Sequence, residues 1–324
     1  MFEEATDCAP QAIQIAESYV LLAPDEVLSD NIRFPMLVAC RALLKSTTRQ
    51  HLGIVPRLVE LIIRGVEFVD GGSENAYSII SQTLVESQFL SSLLEGIYSS
   101  HEASQTTGPN KKRTSVYGVV ETDYYSVLAR LALGSPGVFI SAVSTVTGTS
   151  EEQTLTWILT EWFLHFDNIG SVTQKKLHAL GLTQLLTLNI NTTAPPPVYI
   201  LKHLQSYLTM WTDLATELAE GTEDDDGNPQ SRGRDYLVYW NEKKQQHNNN
   251  GDEEAASITE VPESERKRAW KSSDVVHRVN FGDYVREVLQ SLIVRCGGEQ
   301  RFQEDWLGNV DREVVGAFGA LGIL

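Results

Sequence analysis

The sequence predicts an all-α protein, an α-solenoid of antiparallel helix pairs of the HEAT type wound into an armadillo-like superhelix. Three observations predict it. From Thr122 to Leu188 the chain reads as four amphipathic helices joined by very short turns. Ser150-Glu151-Glu152-Gln153 and Ser171-Val172-Thr173-Gln174 are Ser-x-x-Gln capping boxes, in which a hydroxyl and an amide each satisfy an orphaned backbone donor. Short connections force antiparallel neighbours, and hairpins this small bury a core only by stacking on one another.

The elements follow in order. Ala12, Ile15, Ala16, Tyr19 and Leu22 share one face of a helix over residues 9–22, closed by Pro24. If the chain is a fragment, that face would meet a preceding repeat, and it should then be exposed and apolar. Residues 31–45 carry Phe34, Val38 and Leu44, and residues 52–69 form a strongly apolar helix stopped by Gly71-Gly72. The stretch 73–100 is too long for one ordinary helix, which predicts a break near Glu86 to Gln88. Gly108-Pro109 and Lys111-Lys112-Arg113 belong to a polar loop, whose basic triplet reads as a solvated loop with a nuclear-localisation or acidic-partner site as the alternative.

Thr122-Asp123 and Ser135-Pro136 open the next two helices, the proline standing where its missing N–H is harmless. Leu155, Ile158, Leu159, Trp162 and Phe166 make one apolar stripe, and Leu177, Leu180, Leu185 and Leu188 make the next. After the break at residues 189–197, helix resumes at Val198 and continues through Trp211 to Leu218.

At Glu220 the composition turns charged and polar, and a segment so poor in apolar residues cannot offset its ordering entropy. The expected organisation is therefore a solenoid over residues 1–219, a largely disordered acidic and polar insertion over 220–275, and a C-terminal helical repeat and cap over 276–324. Tyr236-Leu237-Val238-Tyr239-Trp240 is an apolar island expected either to dock back on the solenoid or to form a short recognition element. Asn280 caps a helix ended by Gly297-Gly298, and a last helix runs from Asn309 through Phe318, with Leu321, Ile323 and Leu324 as its cap.

Composition sets limits on function. The formal net charge of -17 disfavours nucleic acid and favours basic proteins as partners. No apolar run approaches a membrane span, and the first residues lack a secretory pattern. Cys8, Cys40 and Cys296 lack metal spacing and fit a reducing compartment. The histidines, His165, His178 and His203 among them, form no His-Glu-x-x-His motif, and His165 reads as structural. Gly134 to Gly137 is a helix turn and not a phosphate loop, and no Gly-x-Ser-x-Gly elbow occurs. Glu161 and Asp167 read as the polar boundary of a Trp-rich stripe. No enzyme and no cofactor is expected, and the Asn191-Thr192-Thr193 sequon is without meaning outside the secretory route.

Ala129-Arg130-Leu131-Ala132-Leu133, then Pro136 to Ile140, Glu161-Trp162, Lys176-Leu177 and Leu185-Leu186 resemble the C-terminal HEAT repeats of the karyopherin-β nuclear transport receptors, most of all the importin-nine branch and its fungal counterparts. Residues 279–285 and 309–315 extend the likeness, which rests on order and spacing and covers the first hundred residues loosely. The resemblance implies a receptor shuttling between cytoplasm and nucleus with basic protein cargo, core histones and the TATA-binding protein, released through the Ran GTPase, with nucleoporin contacts possible in the same family. The family's N-terminal Ran-binding repeats have no counterpart here, which implies the C-terminal third of a receptor. Glu217, Glu220, Glu223, Asp224, Asp225 and Asp226 are the candidate cargo-binding acids. The alternative is a HEAT scaffold or histone-chaperone-like protein outside Ran-driven transport.

Overall fold

The computed structural model describes residues 8–46, 53–106, 114, 116–189, 194–223 and 262–323. Among the described residues all regular structure is helical, as expected. α1 (Ala9–Leu22), the one-turn α2 (Pro24–Leu28) and α3 (Asp30–Ser46) lead into α4 (Ile54–Asp70), α5 (Glu74–Glu86) and α6 (Phe89–Gln105). α7 (Val119–Gly134), α8 (Pro136–Thr147), α9 (Glu151–Leu164) and α10 (Val172–Leu185) are the four helices of the central stretch. α11 (Val198–Leu201) and α12 (Leu204–Glu223) follow, and after residues 224–261 come α13 (Pro262–Ser273), α14 (Val275–Arg278), α15 (Phe281–Arg295), α16 (Glu299–Asp305) and α17 (Arg312–Ala320).

The helix ends show the chemistry that sets them. Ser150 has the full capping box, its hydroxyl accepting from the Gln153 N–H while the Gln153 side chain accepts from the Ser150 N–H. At Ser171 only the hydroxyl half forms. Gln174 turns inward instead and donates to Ser126 (2.9 Å) and Asp123 (3.3 Å), because two buried acceptors offer more than one exposed backbone donor. The expected break in the 73–100 stretch falls at Ser87-Gln88, with Gln88 left-handed at φ 59°. Gly71 ends α4 in the same conformation (φ 63°), where a Cβ would be strained.

Two layers result. α1, α4, α7, α10, α12 and α17 pack side by side in one, while α3, α5, α6, α8, α9 and α11 form the other. Their joint core runs unbroken along the stack, from Ile13 to Ile323. The tightest crossing is between α7 and α10, where Gly181 sits so close to the Ala129 carbonyl that a Cβ would lie 2.6 Å from its oxygen. Solenoid stacking needs such contacts between neighbouring repeats.

The apolar face of α1 is exposed: Ile15 is 59 %, Tyr19 61 % and Leu22 47 % accessible. The helix is held to α4 by its other side, through Ile13, Val20 and Leu21. On α3, Phe34 and Val38 are likewise exposed, and Leu37, Cys40 and Leu44 are the residues that pack inward. Exposed apolar side chains on α1 and α3 thus form a patch at one end of the stack.

Several boundaries differ from expectation. Pro24 does not simply end α1 but starts α2, and the helix resuming at Val198 breaks at Lys202-His203. α16 is an additional helix, and the last helix starts at Arg312 rather than Asn309. The largest correction concerns the insertion expected over 220–275: its end is ordered as α13 and the start of α14, with Trp270 and Asp274 buried. The composition of this segment misleads because the residues it buries are Trp270 and Asp274 rather than an apolar stripe. Lys111 to Arg113, Asn191 to Thr193, Tyr236 to Trp240 and Leu324 lie outside the described residues.

Candidate binding surface

The chain reverses direction at its end. α13 packs on α1 at the start of the stack, α14 and α15 lie across α10, and α15 reaches α12. Residues 265–295 thus run back over the α1/α4/α7/α10/α12 layer as a strap. Arg266 donates to the Leu22 carbonyl (3.0 Å), the Trp270 ring stacks on Phe68 at 4.9 Å, and Lys176 donates to the Val279 carbonyl (2.7 Å). Gly65 faces the Trp270 ring, with room for it and little more.

The centre of this contact is a buried charge cluster. Asp274, between α13 and α14, accepts from Arg130 of α7 at 2.8 Å and from Arg64 of α4. Arg130 also donates to Glu60 at 2.6 Å, so two guanidiniums and two carboxylates share one dry site. Burial alone would raise the Asp274 carboxyl, but Arg130 and Arg64 outweigh it and hold the group well below the usual carboxylate range. For Arg64 the burial penalty wins and lowers its pKa, whereas for Arg130 the same penalty is outweighed by Asp274 and Glu60. Glu67 stands beside the cluster, accepting from the Val275 N–H (3.2 Å) and lying 3.6 Å from Arg278. The cluster is a structural clamp: three segments far apart in sequence meet in it, and each charge has an opposite partner.

Two other polar groups sit between layers. His178 is fully buried, its Nδ1 accepting from the Trp162 indole (3.1 Å) and its Nε2 lying 2.9 Å from the Ser126 hydroxyl. That pattern fixes a neutral ring protonated on Nε2, and burial depresses its pKa to about 3. Glu161 is not the polar boundary of its stripe; it is buried, 2.7 Å from His101 and 3.6 Å from His165. Burial raises the neighbouring Glu121, an effect opposed by His165 and Ser100. Among the described residues no set of three or more His, Cys, Asp or Glu is arranged to hold a metal ion. None of the described helices is long and apolar enough to cross a membrane.

Of the candidate cargo-binding acids, Glu217 projects from α12 and pairs with Lys175 of α10 at 2.7 Å. Its charge is already engaged within the molecule. Glu220 and Glu223 lie in the last turn of α12, and Asp224, Asp225 and Asp226 are outside the described residues. The fold brings Glu60, Glu67 and Asp274 together, and none of them was among the candidate cargo-binding acids. Their only sequence signal is the placing of Glu60, Arg64 and Glu67 at helical spacing inside an apolar helix, where charges are uncommon unless paired.

Stacked helix pairs with paired buried charges define a helical-repeat protein whose buried polar groups serve packing. A family model described as "Importin-11-like, TPR repeats" matches residues 1–323, and the chain belongs to that family. HEAT and TPR units are both antiparallel helix pairs stacked in series. Importin beta-like protein kap113 of Schizosaccharomyces pombe is 23% identical over 318 residues, covering 98% of this chain and 27% of that protein. The chain thus spans about a quarter of this relative's length. No solved structure matches.

Proposed function

We propose that this chain is the cargo-binding part of a nuclear import receptor that carries basic proteins, core histones and the TATA-binding protein among them, and releases them through Ran. The observation that carries the reading is the family match along nearly the whole chain, together with a relative whose name is that of an importin. The net charge of -17 gives the physical basis, since an acidic repeat surface attracts basic cargo and raises its on-rate. In this reading the solenoid of residues 1–219 and the helices of 276–324 hold the frame, the stretch from Glu220 supplies the acids, and the protein shuttles between cytoplasm and nucleus. The finer likeness to the importin-nine branch is part of the same proposal.

The test neutralises Glu220, Glu223, Asp224, Asp225 and Asp226 together, to Gln and Asn, and measures core-histone binding against salt. Weaker binding with a flatter salt dependence supports the reading. Unchanged affinity and slope reduce these acids to a solvating loop. Glu217→Gln alone should change little, because Lys175 already neutralises that carboxylate. Ran in its GTP form, added to the full-length protein with histone bound, should release the histone; retention would argue for a scaffold or chaperone.

A further inference from the structure

Three helices meet around a second set of buried acids, whose partners differ in kind from those of Asp274. His101 projects from α6, Glu121 from α7 and Glu161 from α9, with His165 just past the end of α9. His101 Nδ1 lies 2.7 Å from Glu161 Oε1, while His165 places Nε2 3.6 Å from Glu161 Oε2 and Nδ1 3.6 Å from Glu121 Oε2. Ser100 of α6 donates to Glu121, and the buried Tyr125 of α7 lies within electrostatic reach of both carboxylates. Among the described residues the ion-pair partners of Glu121 and Glu161 are imidazoles alone. Asp274 and Glu60 are met instead by arginines, whose charge does not depend on pH. Two carboxylates that share one imidazole in a dry site cannot both stay ionised unless protons are held beside them.

The layout admits protons and shuts larger cations out. Glu121 and Glu161 are 1 % and 4 % accessible, whereas His165 and His101 reach water at 18 % and 30 %. The Asn168 amide, 3.0 Å from His165 Nδ1, donates to the neutral ring and, turned over, accepts from the charged one, so it serves both states. Burial raises the Glu121 carboxyl, His165 and Ser100 oppose it, and Glu161 adds to it.

We propose that His101, Glu121, Glu161 and His165 form a proton-operated latch, which fastens α6 to α7 and α9 while it holds a proton and slackens when the proton leaves on the alkaline side of neutrality. The inference is independent of the cargo reading. α6 and α9 lie in the second layer and α7 in the first, so the state of the latch sets how firmly the two layers are coupled at this point. A carboxyl held above its ordinary value contributes stability that is complete below that value and is lost as pH rises. The sense is opposite to that of Asp274 and His178, whose contributions are lost on acidification.

Glutamine has the shape of a protonated carboxyl and cannot lose its proton, so Glu121→Gln should mimic the closed latch. In urea, the unfolding midpoint of Glu121→Gln relative to wild type should move up between pH 6 and pH 8, because only wild type gives up the proton. Burial pushes Glu17 up to about 7 and Asp123 up to about 6, and both titrate in this range, so the difference between the two proteins is the readout. In hydrogen exchange, with the base-catalysed chemical rate divided out, wild-type amides around His101 and Glu161 should open about three- to tenfold more at pH 8 than at pH 6, within the limit of about tenfold per pH unit that one proton allows. The same amides of Glu121→Gln should not change. A relative midpoint that stays flat or falls overturns the proposal, and so does wild-type protection that is the same at both pH values. Should Glu121→Gln fail to fold, Glu161→Gln carries the same test; failure of both would show that the fold needs the ionised carboxylates, and would overturn the latch as well.

Discussion

The Asp274 carboxylate accepts a 2.8 Å hydrogen bond from Arg130, a residue 144 positions earlier in the chain, and both are almost wholly shielded from water. Each also has a second partner, Glu60 for Arg130 and Arg64 for Asp274, so the charges are buried as a set. The pair fastens the returning end of the chain to the middle of the repeat stack, with Arg64 as the third member.

Asp274→Asn should therefore destabilise the protein by about 3–5 kcal/mol in denaturant unfolding, because the guanidiniums lose the carboxylate that justifies their burial. Replacing Arg64 and Asp274 together, by Met and Leu, should recover part of that loss. The pH dependence has a definite sign. A carboxyl held below its ordinary value contributes stability above that value and loses it as pH falls, so the difference between wild type and Asp274→Asn should be complete above about pH 5 and shrink on acidification.

His178 should behave in a distinct pH window. Its pKa is depressed to about 3 by burial, so the folded state keeps the neutral ring while the unfolded chain takes up a proton near pH 6.5. The resulting stability is present above pH 6.5 and falls progressively as pH drops toward 3. His178→Phe should remove this slope and cost about 1–3 kcal/mol at pH 7, since the Trp162 indole loses its acceptor. Nitrogen NMR at pH 5 should show the neutral ring protonated on Nε2; a charged ring would contradict the assignment.

Gly181→Ala tests the α7/α10 crossing. The added methyl would meet the Ala129 carbonyl oxygen at 2.6 Å, and backbone cannot swing aside as a side chain can. A loss of about 1–3 kcal/mol is expected despite the better helix propensity of alanine, measurable as a lower midpoint in urea. A stabilised variant would show that the two helices can separate at no cost.

The exposed stripe on α1 should make the isolated chain associate. Ile15→Lys with Tyr19→Glu should shift the protein toward monomer in sedimentation velocity, with thermal stability changed by no more than about 0.5 kcal/mol, because both side chains point away from the core. Unchanged association would place the sticky surface elsewhere.

The repeat pattern could be read from residues such as Leu155, Ile158 and Trp162, because helical periodicity and caps are local signals. The same periodicity on α1 identified a stripe correctly but could not tell which way it faced; Ile15, Tyr19 and Leu22 look outward while Ile13, Val20 and Leu21 hold the helix in place. Gln174 was legible as half of a capping box, yet buried Asp123 and Ser126 claim it. Glu161 had the polarity of a boundary residue and lies inside.

By itself, then, the sequence determined the helical class, the stacking of short hairpins, most helix ends and the acidity that favours basic partners. These depend on neighbours within a few residues, or on summed charge. Tertiary structure alone decided that residues 265–278 return along the first layer, that Asp274 meets Arg64 and Arg130, and that Glu217 is already paired with Lys175. The physical reason is that a buried charge is tolerable only where an opposite charge meets it in three dimensions, and a meeting between residues 144 positions apart leaves no periodic trace in the chain.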